Sequence, residues 1–142
     1  MSEQNKAAAR RFFDLWEAHE VDKFDEVIAA DAIDHDPQSA FPDEHGPAAA
    51  QKTAEMFLAA FPDTEYTVEQ QIDEGDYVVT RWTARGTQSG ELMGIPPTGK
   101  SVEISGIAID RFSDGKIAES WGNWDTMGLL QQLGAVPQTQ AA

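Results

Sequence analysis

The hydrophobic period changes at Pro62, and that change constrains the fold more than any other feature of the 142-residue chain. Before it, apolar residues recur at helical spacing. Ala8, Phe12, Leu15 and Trp16, with Phe13 beside them, predict a helix over about 4–18. A shorter helix is predicted over about 22–29, with Phe24, Val27 and Ile28 as its apolar stripe. The Asp- and Pro-rich stretch DAIDHDPQSAFPDEHG then reads as a loop. Gly46-Pro47 opens a third helix whose buried face is Ala50, Ala54, Phe57, Leu58 and Phe61, and Pro62 stops it. After Pro62 the period becomes two. TEYTVEQQID, YVVTRWTARGTQ, SVEISGIAIDRF and IAESWGNWD read as strands, with turns at EGD and SDGK. TMGLLQQLG reads as a short terminal helix closed by Gly134. Helices followed by a run of antiparallel strands predict an α+β layout in which helices cover one face of a sheet.

The length fits one domain over 1–134, and PQTQAA places a loose tail at 135–142. There is no cysteine, which excludes a disulfide scaffold, cysteine-ligated zinc and a thiol nucleophile. A formal net charge of −15 argues against nucleic acid or an anionic membrane as a partner. No apolar run approaches the roughly 18 residues that span a bilayer, and MSEQNKAAARRFF lacks the apolar centre of a secretory signal. The expected location is therefore cytoplasmic.

Four motifs in order, DHDP after the second predicted helix, GIPPTGK, GIAIDRFSDGKI and SWGNWDTMGLLQQLG, resemble the SnoaL-like polyketide cyclase, or ester cyclase, branch of the nuclear transport factor 2-like superfamily. The resemblance covers about 5–134. It implies a cone-shaped α+β barrel, with N-terminal helices packed on a strongly curved, mostly antiparallel sheet enclosing a pocket. It also implies homodimers formed through the outer sheet face. The same fold hosts cyclases, dehydratases, isomerases, epoxide hydrolases and binding proteins, so it does not by itself assign a reaction. The resemblance further implies that an acid/base aspartate on the last strand and a histidine on the preceding one correspond to Gly122 and Ala108. Neither can transfer a proton. Arg81 matches the arginine of limonene-type epoxide hydrolases, but their carboxylates correspond to Thr83 and Gly122.

Strand parity separates the remaining polar residues. Gly106 and Ala108 share a face with Asp110, and Ser120, Gly122 and Trp124 share one face of the last strand. These small residues leave volume above the sheet, for a ligand or for a closely packed helix. His35, between Asp34 and Asp36, is the first candidate for proton transfer, because imidazole titrates near neutral pH; the other reading is a histidine that fixes its turn. Asp110 is the second candidate, with a solvated hairpin end as its alternative. Asn123 is read as an anchor for a substrate carbonyl or as a strand-end residue. Arg81 is read as pocket, surface or dimer interface, and Asp125 as substrate-binding residue or N-cap of the last helix. Trp121 and Trp124 point to opposite faces, so one should line the pocket or core while the other faces outward. Trp16 and Trp82 read as core.

No metal site is expected. His19, His35 and His45 do not share a helix face, and Asp34-His35-Asp36 is too short to cage an ion. No cofactor motif is present, and GIPPTGK lacks phosphate-loop spacing. The sequence thus predicts a cofactor-free enzyme that cyclises, isomerises or dehydrates a small apolar carbonyl-bearing metabolite by acid/base chemistry. A non-catalytic binder of a small hydrophobic molecule is the alternative, and epoxide hydrolysis the third.

Overall fold

The computed structural model describes residues 2–137. Helix α1 (Ser2–Glu17) begins two residues before the predicted start. It ends where His19 takes φ 61°, with Glu20 N–H bonded to the Leu15 carbonyl and His19 N–H to that of Trp16. That pair of bonds satisfies carbonyls the helix leaves open. Helix α2 (Pro47–Ala60) starts and stops at the predicted prolines, and α3 (Thr126–Gln132) closes the described chain. Asp125 caps α3 by accepting a 2.8 Å hydrogen bond from Gly128 N–H. Four strands follow Pro62 as predicted: β2 (Glu65–Glu74), β3 (Tyr77–Thr87), β4 (Ser101–Ser113) and β5 (Lys116–Trp124). Asp114 and Gly115, both at positive φ, form the two-residue turn between β4 and β5.

The predicted second helix is a correction. Val21–Glu26 form a short 3-10 helix, and Ile28–Asp34, read as helix end and loop, form strand β1. β1 lies parallel to β5 at the edge of a sheet ordered β1-β5-β4-β3-β2, whose other pairs are antiparallel. Ile117 N–H bonds to the Val27 carbonyl and His35 N–H to that of Ser120, so pairing to β5 extends one residue beyond each end of β1. This long-range pairing overrides the weak local helical signal.

Register fixes the two faces. Across β3, β4 and β5, Thr80 faces Ala108 and Ala108 faces Gly122; Trp82 faces Gly106 and Gly106 faces Trp124; Val78 faces Asp110 and Asp110 faces Ser120. These rows look toward the helices. Two apolar clusters form there. One gathers Ala9, Leu15, Phe24, Ala54, Phe112 and Ile117; the other gathers Phe61, Leu92, Val102, Leu129 and Leu133. The predicted tail at 135–142 lies outside the described residues from 138 onward. Among the described residues no helix is long and apolar enough to cross a membrane.

Candidate active site

A cavity of about 230 Å³ opens between the helices and the inner sheet face, bordered by both clusters. Helix α1 contributes Phe12, Phe13 and Trp16, and α2 contributes Phe57; β2, β3 and β5 contribute Tyr66, Trp82 and Trp124. Its walls are therefore mainly apolar and rich in aromatic rings. Two glycines on the inner rows differ in what they permit. A Cβ at Gly106 would overlap the Trp82 ring, which already fills that space. A Cβ at Gly122 would meet nothing within 4 Å, so the missing side chain is open cavity. Trp16 and Trp82, expected as core, are half-buried and line the cavity.

A smaller recess of about 90 Å³ shares Phe12, Phe13, Asp34, Ala50, Ala108 and Ser120 with the main cavity and adds Asp110. Asp110 is 6% exposed. Burial pushes its carboxyl up to about 6, the Asp34 charge adds to that, and the hydrogen bond from Ser120 works against it. Ser120 Oγ donates to Asp110 Oδ1 at 2.7 Å. Asp34 and Asp36 line the main cavity, and desolvation raises both carboxyls above the usual range. Each is opposed by one backbone donor: Asp36 N–H to Asp34 Oδ1 at 3.0 Å, and Gln38 N–H to Asp36 Oδ1 at 2.8 Å. The recess thus holds one buried carboxylate, Asp110, beside the more exposed Asp34, and burial makes Asp110 more basic than an exposed aspartate.

The residues singled out in the sequence divide between the two faces. Asp110 and Trp124 line the recess and cavity. His35 is on neither lining. Strand alternation continues past the end of β1, so Asp34 and Asp36 turn inward and His35 turns outward. There it stacks on Trp121 with centroids 5.1 Å apart, and its Nε2 meets Glu119 Oε2 at 2.7 Å. Arg111 Nε donates to the other Glu119 oxygen at 3.1 Å, and together His35 and Arg111 hold that carboxyl below its usual range. Arg81 is exposed on the same outer face and donates to Gln70 Oε1 at 3.3 Å. Asn123 borders the cavity from an exposed outer-row position, paired with exposed Ile107. Asp125 is the α3 cap and is not in the cavity lining. Trp121 and Trp124 do face opposite ways, Trp124 into the cavity and Trp121 outward.

Sequence reasoning passed over Asp34, Asp36, Ser120 and Tyr66. Parity put Ser120 on the face of Gly122 and Asp110 on that of Ala108, register set the two opposite each other, and the two aspartates were visible as flanks of His35. Tyr66 gave no local signal. Among the described residues no three His, Asp or Glu side chains come together as a metal-ligand set.

A family model described as SnoaL-like polyketide cyclase matches residues 6–133. Aklanonic acid methyl ester cyclase DnrD of Streptomyces peucetius is 28% identical over 110 residues, covering 77% of this chain and 72% of that protein. The crystal structure of AclR from Streptomyces galilaeus superposes with a TM-score of 0.85 at 30% identity, covering 99% of this chain and 86% of that one. IdmH from Streptomyces antibioticus superposes at 0.81 with 34% identity, covering 92% and 99% respectively. The family model spans nearly the whole chain and the superposed structures share its fold, and on that ground this chain belongs to the SnoaL-like polyketide cyclase family.

Proposed function

We propose that the chain is a cofactor-independent enzyme that performs acid/base chemistry on a small apolar, carbonyl-bearing metabolite of the polyketide type, with Asp110 as its proton-transfer group. The observation that carries this reading is the burial of Asp110 in the recess that adjoins the aromatic-rich cavity, with Oδ1 held by Ser120. Oδ2 makes no hydrogen bond among the described residues, so it is the oxygen left to take a proton. A carboxyl raised to about 6 is ionised at neutral pH yet is a stronger base than an exposed one. In a cyclisation, Oδ2 takes a proton from the carbon beside a carbonyl. The enolate carbon bonds to a second carbonyl carbon in the same molecule, and the new alkoxide recovers the proton. Asp34 contributes through its charge, which raises the basicity of Asp110.

This assignment displaces the chemistry by one inward step from Ala108 and Gly122, the positions the family resemblance implies, to their neighbours Asp110 and Ser120 on the same face. Aklanonic acid methyl ester, named for the relative from Streptomyces peucetius, is the first compound to assay, followed by other neutral carbonyl-bearing polyketides. Turnover by wild type that falls by about 100-fold or more in Asp110→Asn supports the assignment. Equal rates in the two proteins overturn it.

The absence of a proton-transfer group at 108 and 122 favours one competing reading, a binding protein that holds the same ligand without converting it. Stoichiometric binding with no turnover across the panel selects that reading. A single domain over 1–134, a sheet bent into a cone around the cavity and a homodimer complete the proposal. The outer face supports the last: Ile72, Val79, Ile109 and Trp121 form one register row, with Ile72 and Ile109 exposed. Ile109→Lys should convert a dimer to monomer in sedimentation; a wild-type monomer ends that part of the reading.

A further inference from the structure

The end of the cavity remote from Asp110 holds a second polar group that the proposed chemistry does not use. Tyr66 projects from the inner side of β2 and packs its ring against Phe13, Trp16 and Trp82, with centroids at 5.1, 5.7 and 5.5 Å. Its backbone N–H bonds to Glu17 Oε1 at 3.3 Å, but its hydroxyl has no hydrogen-bond partner among the described residues. Nor is that hydroxyl sealed in. Trp16 Nε1 is the one unpaired side-chain polar atom shut off from surface among the described residues, whereas Tyr66 lines the cavity. A half-buried phenol without a partner is unusual, since polar atoms removed from bulk water normally find one.

Register gives its position relative to Asp110. Tyr66 pairs with Ala84, and Asp110 pairs with Val78, so six residues of β3 separate the two levels. At strand rise that is about 20 Å along the sheet, shortened by the inward reach of both side chains. Trp82 and Trp124 form part of the wall between them, and the one cation among its described lining residues, Arg85, is held by Glu103 at 3.0 Å.

We propose that Tyr66 is the distal anchor of the ligand, its phenol donating a hydrogen bond to a neutral acceptor oxygen remote from the reacting carbon. The inference rests on the reading of the cavity as the substrate site. Burial, with the Glu17 carboxylate adding to it, raises the phenol well above its usual range. The group is therefore a donor at every working pH and never an anion that would repel the acceptor. Tyr66 selects orientation: of the two ways an elongated ligand can enter, the one that puts an oxygen at Tyr66 delivers the opposite end to Asp110. A single-ring ligand cannot touch both.

Anthraquinone and anthracene share an outline and differ in their two carbonyl oxygens, which makes them suitable probes. Affinities are measured by quenching of tryptophan fluorescence for wild type, Tyr66→Phe and Asp110→Asn. Wild type should bind anthraquinone about tenfold more tightly than anthracene, the ordinary effect of satisfying one buried donor. Tyr66→Phe, which keeps the ring and its packing, should abolish that preference while leaving anthracene affinity unchanged. Asp110→Asn should retain the preference, which separates this proposal from the acid/base assignment: loss of turnover in Asp110→Asn tests the chemistry and leaves the ratio untouched. A preference that survives in Tyr66→Phe, an equal weakening of both probes, or no binding of either by wild type overturns the anchor.

Discussion

Ser120 and Asp110 stand directly opposite each other on β5 and β4, and the serine hydroxyl donates to the carboxylate at 2.7 Å. Burial raises Asp110 from the 3.8 of an exposed aspartate to about 6. Between those values the folded chain binds more protons than the unfolded one, so this group makes stability fall as pH rises through the window. The loss is on the order of 3 kcal/mol and is complete above the folded value. Asp110→Asn removes it. Denaturant unfolding at pH 4 and pH 7.5 should show the variant gaining on wild type by roughly 2–3 kcal/mol between the two conditions.

Activity should move the opposite way with pH. A base must be ionised, so kcat/KM should rise through about pH 6 and level off. The Ser120 hydrogen bond favours the charged form, so Ser120→Ala should shift the rise to higher pH. A pH profile unchanged by that substitution would remove Ser120 from the mechanism.

The two inner-row glycines predict opposite outcomes for the same change. Gly122→Ala adds a methyl to open space and reduces the freedom of the unfolded strand, so it should be neutral or stabilise by about 0.5–1 kcal/mol. It should also weaken ligand binding by narrowing the cavity. Gly106→Ala drives a Cβ into the Trp82 ring and should cost about 1–3 kcal/mol. Thermal unfolding of both variants is the measurement.

His35→Ala should leave turnover within about twofold, because the imidazole stacks on Trp121 on the outer face. Its electrostatic effect falls on Glu119, whose lowered carboxyl contributes stability above the usual carboxylate range and loses it as pH falls through the lowered value. The variant should therefore differ from wild type near neutral pH and converge with it in acid. Abolished turnover at unchanged stability would restore His35 to the catalytic group.

Asp125→Ala should cost about 1 kcal/mol through loss of the α3 cap, with ligand preference unaltered. A change in preference without a change in stability would mean that this carboxylate reaches the ligand.

Local chemistry made most of the fold legible. The prolines bounding α2, the Asp-Gly hairpin and the Asp125 cap each act through their immediate neighbours, and the family motifs carried the rest. β1 was not legible. Its buried positions, Ile28 and Ala32, stand four residues apart as on a helix, and its register to β5 shifts between Ile28 and Ile33, so no alternation appears in the sequence. The candidate site was half legible for the same reason. Parity found the row of Gly106, Ala108 and Asp110, because the strand was recognised. It could not assign Asp34, His35 and Asp36 to faces while that segment read as loop. Nor does any local pattern distinguish an aromatic core from an aromatic cavity wall, which is why Trp16 and Trp82 read as core and Tyr66 drew no notice.

The open space above Gly122 also bears on how such a scaffold acquires new reactions. A Cβ placed there would stand on an ordered strand, opposite Ala108 and one cross-strand row from Asp110, with no atom within 4 Å. At Gly106 the same innovation must first evict a tryptophan. The inner face of this sheet therefore takes an added side chain at its Gly122 position and refuses one at Gly106, where the Trp82 ring is already seated.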